Sequence, residues 1–453
     1  MELGMERRHP VASPLFPLFP LPPLNPLNPL KKNLVSQQDF FYLCRFVNHL
    51  INQNIKKMNR TKTTVLLALA FILSLPMSLF AQERVYEITD DVVVPHTSVK
   101  NQSQSGTCWC FAGLAMVEAE ILREYNTEID LSEMYLVRWA YANKFEKYIR
   151  MQGVCNFSPG GEVFDVLYAI NESGMMTDEA YNGLVLGEGI HQHGELHTVL
   201  AEYGKIVNKQ HNGKISKAWP NMVQEILNVY LGETPATFTF EGNEYNAKSF
   251  AEKYPLNIED YVQIGAFTNH ANYKPYIMPI QDNWTNTMTY NMPLDELMAE
   301  LDNALNSGYT VGWAQDVSDK GFSRNAGVGV VLEDNVEKIR QSDVKKYKKM
   351  SDAEISASLY KFESVMPEKE VTEEMHQEAY ENGQTTDDHS MLIVGIAYDQ
   401  NGTKYYKVKN SWSEKYGYDG YWYCSEPYVR LHTMFFTLNK KGMTDTMKTK
   451  LGL

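Results

Sequence analysis

The sequence predicts an α+β protein in which a helical part supplies a thiol and a sheet-forming part supplies an imidazole. Three stretches carry that expectation. From Cys108 to Val117 there is neither charge nor proline, which reads as a buried helix beginning at or just before Cys108. Met391 to Tyr398 is an apolar β-type run. Lys404 to Lys409 then alternates as a half-buried strand should, after a turn signal at Asn401-Gly402. A hairpin of these two strands brings His389 and Asn410 to the same end.

The chemistry follows from what surrounds Cys108. Gln102 stands six residues ahead, and Ser105-Gly106-Thr107 between them reads as a turn and candidate helix cap. A thiol at a helix start feels the positive end of the dipole and the free N–H groups of the first turn. Both favour the thiolate that a cysteine nucleophile needs. The side-chain N–H of Gln102 beside the backbone N–H of Cys108 would give two donors for a developing oxyanion. Taken alone, Cys108-Trp109-Cys110 reads equally well as buried core. His389, with its second ring nitrogen held by Asn410 and roofed by Trp412, completes a Cys-His-Asn set. Cys110 points to another helix face and is expected to be buried and dispensable.

Gln102, Cys108-Trp109, His389 and Asn410-Ser411-Trp412, followed by Gly417-Tyr-Asp-Gly420-Tyr-Trp, resemble the papain-like cysteine peptidases. Pro159-Gly160-Gly161, Thr237-Phe-Thr-Phe240 and the run from Trp313 to Phe322 resemble, more narrowly, the bleomycin hydrolase/aminopeptidase C branch. The likeness runs from about Val85 to Lys441 and is weaker in the middle. It implies a two-lobe fold: a helical lobe with the Cys108 helix, an antiparallel barrel-like lobe with His389 and Asn410, and an inserted subdomain over about 185–290. It implies a cysteine peptidase acting on peptides through Cys108, His389, Asn410 and Gln102. Gly160, Gly161 and Trp109 would line the substrate cleft, Trp412 would shield the His389–Asn410 bond, no cofactor would be needed, and a homo-oligomer would form. The branch attributes aminopeptidase action to a C-terminal arm whose carboxylate meets the substrate amine. Here the sequence ends at Leu453, short of the usual arm; the resemblance implies an aminopeptidase first, with endopeptidase action as the alternative. A third reading, an idle papain-like scaffold, sits badly with an intact Gln-Cys-His-Asn set.

Composition sets the bounds. With 453 residues, 43% hydrophobic and 22% charged, the chain suits a large globular protein with one or two cores. Its formal charge is −14, and without residues 1–81 it falls to −20, which argues against nonspecific nucleic-acid binding. Cys44, Cys108, Cys110, Cys155 and Cys424 show no metal-type spacing. By resemblance, Ser105 stands where secreted relatives carry a disulfide cysteine, and a bridge between two of Cys110, Cys155 and Cys424 stays open. Eight of nineteen prolines fall between Pro10 and Pro29, so 1–57 reads as a disordered leader or a mis-assigned start. Residues 58–81 read as a secretory signal peptide ending at Ala81, giving an exported peptidase domain over 82–453 with no membrane span. The alternative is an uncleaved anchor over 65–80, just below spanning length. From Gln82 to Cys108 there is no room for a folded prodomain, which implies an enzyme made active.

Elsewhere, 131–180 reads as mainly helical, broken by Ser158-Pro159-Gly160-Gly161. His191, His193 and His197 tempt a zinc reading, but Gly194 weakens the helical spacing and no cysteine is near, so a polar surface turn without metal is expected. Ser216 to Leu231 reads as an amphipathic helix. Ala236 to Tyr245, Tyr261 to Thr268 and Tyr309 to Val317 read as strands, and Asp295 to Asn306 as a helix. Glu333 to Asn382 reads as a charged, solvated helical insertion. Val429 to Leu438 reads as a last strand, followed by a short basic tail.

Overall fold

The structure is a computed structural model that describes residues 84–453 apart from 188, 211, 212, 343 and 344. The proline-rich leader and the signal-peptide reading lie outside the described residues. After β1 (Thr89–Val93), the charge-free run becomes α1 (Cys108–Tyr125). Two further helices pack on it: α2 (Glu133–Arg150), whose start is capped by Ser132 Oγ accepting from the Tyr135 N–H at 3.0 Å, and α3 (Val163–Ser173). Gly113 lets α1 and α3 touch, because a Cβ there would fall on Val166. The layer continues with α4 (Gly194–Asn208), α5 (Trp219–Leu231), the hairpin β2 (Phe238–Phe240) and β3 (Asn243–Tyr245), and α6 (Ala247–Lys253). Leu114, Phe145, Val166, Leu200, Leu227 and Phe250 share one core across these elements.

The second half builds a sheet. It contains β4 (Tyr261–Gly265), β5 (Pro275–Ile277), β6 (Met288–Asn291), α7 (Leu294–Asn306), β7 (Val311–Gln315), β8 (Phe322–Ser323) and β9 (Val328–Gly329). Then come α8 (Val336–Gln341), α9 (Asp352–Ser358), α10 (Glu373–Glu381), β10 (His389–Tyr398), β11 (Lys404–Lys409) and β12 (Tyr421–Ser425). The described chain closes with α11 (Glu426–His432), β13 (Thr433–Asn439) and α12 (Asp445–Leu451). The strand order is β5-β6-β4-β13-β7-β10-β11-β12-β9-β8, with β1 also paired to β10.

β10 is the central strand. Leu392 and Val394 enter the helical core, whereas Met391 and Ile393 enter the core under α7. With both faces covered, the strand reads as a continuous apolar run rather than an alternating one. The expected hairpin is present: β10 and β11 pair antiparallel from Tyr398↔Lys404 to Leu392↔Lys409. Its turn is tied by Asp399 Oδ1, which accepts from the N–H groups of Asn401 (2.9 Å) and Thr403 (2.8 Å).

Several expectations need correction. The sheet is open and mixed rather than an antiparallel barrel. Its end strands β5 and β8 are only three and two residues long, and β4/β6 and β9/β12 pair parallel. Val429 to Leu438 is not one strand: Val429 to His432 lie in α11, because Ser425 Oγ accepts from the Tyr428 N–H (3.2 Å) and Pro427 occupies the first turn. Segment 185–290 divides, its helices joining the helical core and β4, β5 and β6 extending the sheet. The charged stretch 333–382 has its own buried residues, with Ile339, Tyr347, Ile355 and Met366 packed beside Tyr405.

A buried charge network fixes the two halves where it matters. Lys100 Nζ pairs with Glu118 of α1 (2.7 Å), Asp130 (2.5 Å) and Glu133 of α2 (3.0 Å). Thr97 Oγ1 donates to Glu118 (2.5 Å) and accepts from Lys409 Nζ (3.0 Å). Lys409 ends β11 and precedes Asn410. Removing one member strands buried charges on the others, which costs about 3–5 kcal/mol. Lys100→Met is expected to lose stability in that range in urea unfolding; a loss under about 1 kcal/mol would show the network to be ornamental.

Candidate active site

Cys108 is the first residue of α1. Gly106 turns the chain there with φ of 67°, and Thr107 at the N-cap makes no side-chain cap bond. Ser105 Oγ and Thr107 Oγ1 instead bond each other at 2.6 Å. The expected cap is therefore absent, which leaves first-turn N–H groups without a side-chain acceptor. The Cys108 sulfur lies against the backbone N–H groups of Trp109 and Ser390. Ser390 follows His389, so the start of α1 and the start of β10 meet.

His389 is buried and its Nε2 lies 2.9 Å from Asn410 Oδ1. That same Oδ1 accepts from the Ser411 N–H at 2.7 Å. Because a backbone N–H can only donate, the amide oxygen is fixed toward both partners, and His389 must carry its proton on Nε2. Nδ1 is left unprotonated. Trp412 covers the imidazole with ring centroids 4.8 Å apart, and Arg324 stacks on the outer part of Trp412 at 4.6 Å.

Gln102 is held by the same loop. Its N–H donates to the Ser411 carbonyl (2.8 Å), and its Oε1 accepts from Ser411 Oγ (2.6 Å). With Oε1 engaged, the side-chain nitrogen is the free donor. Ser411 thus ties the Gln102 segment to Asn410, a role that sequence reasoning passed over. Only its position beside Asn410 hinted at it.

Trp109 is buried beneath the glycine loop, its Nε1–H donating to the Pro159 carbonyl at 3.0 Å, with Gly161 against its ring. It supports that loop from below. Over Gly160 sits the carboxylate of Asp282, where a Cβ would collide with it. Cys110 is buried against the Glu133 carbonyl, and Cys108, Cys110, Cys155 and Cys424 are all free thiols. The histidine segment differs from the expected polar turn. His193 is buried beside Tyr141 and His197 stacks on Phe157 at the start of α4. Among the described residues no group of three or more His, Cys, Asp or Glu is arranged to hold a metal ion.

Electrostatics oppose either charge alone. Burial pushes the Cys108 thiol up to about 12, against the two N–H groups, and the nearby Asp387 and Asp282 charges push the same way. Burial pushes His389 down to about 4, with Arg324 adding to it and the Asn410 bond resisting. The helix start does not by itself give the low thiol value read from sequence. Each group resists its charged form singly.

The comparisons with known proteins fit this architecture. Residues 185–452 match the family model described as "Peptidase C1-like family", and residues 88–252 match "Papain family cysteine protease". The chain belongs to the peptidase C1-like family. It is a cysteine peptidase with a papain-like α+β fold. Aminopeptidase E of Lactobacillus helveticus is 23% identical over 398 residues, covering 78% of this chain and 83% of that protein. Aminopeptidase C of Lactobacillus delbrueckii subsp. lactis is 23% identical over 408 residues, covering 80% and 83%. The crystal structure of PepW from Lactobacillus rhamnosis superposes with a TM-score of 0.59 at 17% identity, covering 93% of this chain and 96% of that one.

A thiol that burial holds protonated needs a base to react at neutral pH, so iodoacetamide labelling of Cys108 at pH 7 is expected to slow at least about tenfold in His389→Ala. Its rate should then climb steadily as pH rises toward 12. Undiminished labelling at pH 7 in that variant would show that the helix start activates the sulfur unaided.

Proposed function

We propose that this peptidase is an aminopeptidase that works by acyl transfer through Cys108. The observation that supports it most is the single acceptor, Asn410 Oδ1, shared by the Ser411 N–H and His389 Nε2. That arrangement leaves Nδ1 unprotonated in a site where the Cys108 sulfur borders the next residue, Ser390. As sulfur attacks a substrate carbonyl, its proton passes to Nδ1, and the carbonyl oxygen becomes an oxyanion. The Cys108 N–H and the Gln102 amide nitrogen donate to it. His389 then gives the proton to the departing amine, leaving a thioester. A water molecule loses a proton to His389 as it attacks the thioester, and the acid product leaves with the thiol restored. Trp412 keeps water from competing for the His389–Asn410 bond.

Two features favour action at the amino end. The relatives over most of the chain are named aminopeptidases C, E and G, and the Asp282 carboxylate covers Gly160, where an extended acyl side of a substrate would run. An endopeptidase needs that path open.

Fluorogenic peptides with free and acetylated amino termini test the reading. Free-amine substrates are expected to be cleaved at least tenfold faster; equal rates would make the enzyme an endopeptidase. Cys108→Ala should abolish turnover and Cys110→Ser should retain it. Gln102→Ala should lower kcat on the order of 10²–10³-fold, the loss typical of one oxyanion donor. An active Cys108→Ala would move the chemistry to another residue.

A further inference from the structure

A pocket of about 370 Å³ is lined by Ile280, Asp282, Tyr380, Thr386, Asp387 and Met434, among others. Its size falls within the range of small-molecule sites. Two of its walls are carboxylates from distant parts of the chain. Asp387 lies two residues before His389, and Asp282 covers Gly160. Both are close enough to Cys108 for their charges to act on its sulfur.

Behind Asp387 stands Glu162, fully buried, and neither of its carboxylate oxygens has a hydrogen-bond donor. It stands at the N-cap of α3, where the Glu162 N–H donates to Asp165 Oδ2 at 2.8 Å and the Asp165 N–H donates to the Glu162 carbonyl at 2.9 Å. The Glu162 carboxyl lies against that of Asp387. Two buried carboxyls in contact, with no donor but the proton they share, are costly and favour a cation brought from outside.

The cluster is built rather than loose. Asn283 closes the loop carrying Asp282 through the Met278 carbonyl (3.2 Å) and the Thr287 carbonyl (3.1 Å) and N–H (2.8 Å). Ser158 Oγ donates to Asp282 Oδ1 at 3.1 Å, leaving Oδ2 uncommitted. Lys144, whose charge acts on Asp282 and Glu162, donates to the Ser158 and Gly160 carbonyls and makes no ion pair within 4 Å with the three acids among the described residues. Even with one proton shared between Glu162 and Asp387, the pocket keeps an excess of negative charge. Lys144 offsets only part of it.

We propose that Asp282 and Asp387, backed by Glu162, bind the protonated α-amino group of the substrate and so set the register of cleavage from the amino end. The proposal rests on the aminopeptidase reading and names the group that would enforce it. An ammonium brings three donors, which can be shared between the Asp282 and Asp387 carboxylates.

The test is Asp282→Asn, assayed with free-amine substrates, their acetylated forms, and acetylated substrates with lysine in the acyl part. For free-amine substrates kcat/KM should fall at least about 30-fold, as for loss of one carboxylate from a desolvated ion pair, while the acetylated series holds or rises. An equal fall in both series, or a preference that survives the substitution, overturns the proposal. A selective fall on the lysine substrates would assign the pocket to a side-chain ammonium and overturn it equally. Calorimetry on Cys108→Ala with Ala-Ala-amide and its acetyl form is independent of how Asp282→Asn folds. Tighter binding of the free amine supports the pocket even where wild-type turnover proves endopeptidic; equal binding refutes it.

Discussion

The site depends on one constraint, a buried set of charges that no single element could hold. Lys100 neutralises Glu118 on α1 and Glu133 on α2, and Thr97 relays Glu118 to Lys409 at the end of β11. Lys100 precedes the Gln102 segment, Glu118 sits on the cysteine helix, and Lys409 precedes Asn410. Three groups whose separation must hold to within a fraction of an ångström are thereby referred to one point. Such a network adds little net stability against an apolar equivalent, but it is intolerant of any other register. For a site assembled from residues some three hundred positions apart, register is the quantity that matters.

Much of the site was legible because its parts lie in short signatures. A charge-free run announces α1, and an Asn-Gly turn between two β-type runs announces the hairpin that joins His389 to Asn410. The rest was hidden for physical reasons. Val429 to His432 has strand-like composition, but Ser425 and Pro427 start a helix, and local capping outweighs β propensity over so short a stretch. The barrel expectation failed because closure depends on pairing between strand ends far apart in sequence, which periodicity does not report. The link from Gln102 to Ser411 and the gathering of Glu162, Asp282 and Asp387 span still larger separations. No local pattern marks them, and a lone Asp or Glu reads as a solvated surface residue.

Burial serves the proposed nucleophile and its proposed base unequally. Removing His389 from water keeps the ring neutral, which suits a base, and the doubly used oxygen of Asn410 orients it. Removing Cys108 from water works against the thiolate, and the two N–H groups at the helix start only partly compensate. The positive pole of a helix is worth about 0.3–1 kcal/mol at exposed sites and up to about 2 in buried ones. Desolvation of a thiolate outweighs that. On the proposed mechanism, activation is therefore a property of the pair, in which each charge exists to stabilise the other.

The acidic pocket bears on the same balance. Asp387 and Asp282 raise the Cys108 thiol further, so with the pocket free of a cation their field suppresses the nucleophile. A cation seated between them offsets that field at the sulfur. If the substrate's ammonium is what the pocket takes, its arrival removes an inhibitory charge at the moment the scissile carbonyl is delivered. An acetylated peptide brings no such charge and meets a sulfur still held as thiol. The cluster would then discriminate twice, once in binding and once in the chemical step, so selectivity should appear in kcat as well as in KM. A pocket that merely anchored the amine would discriminate in KM alone.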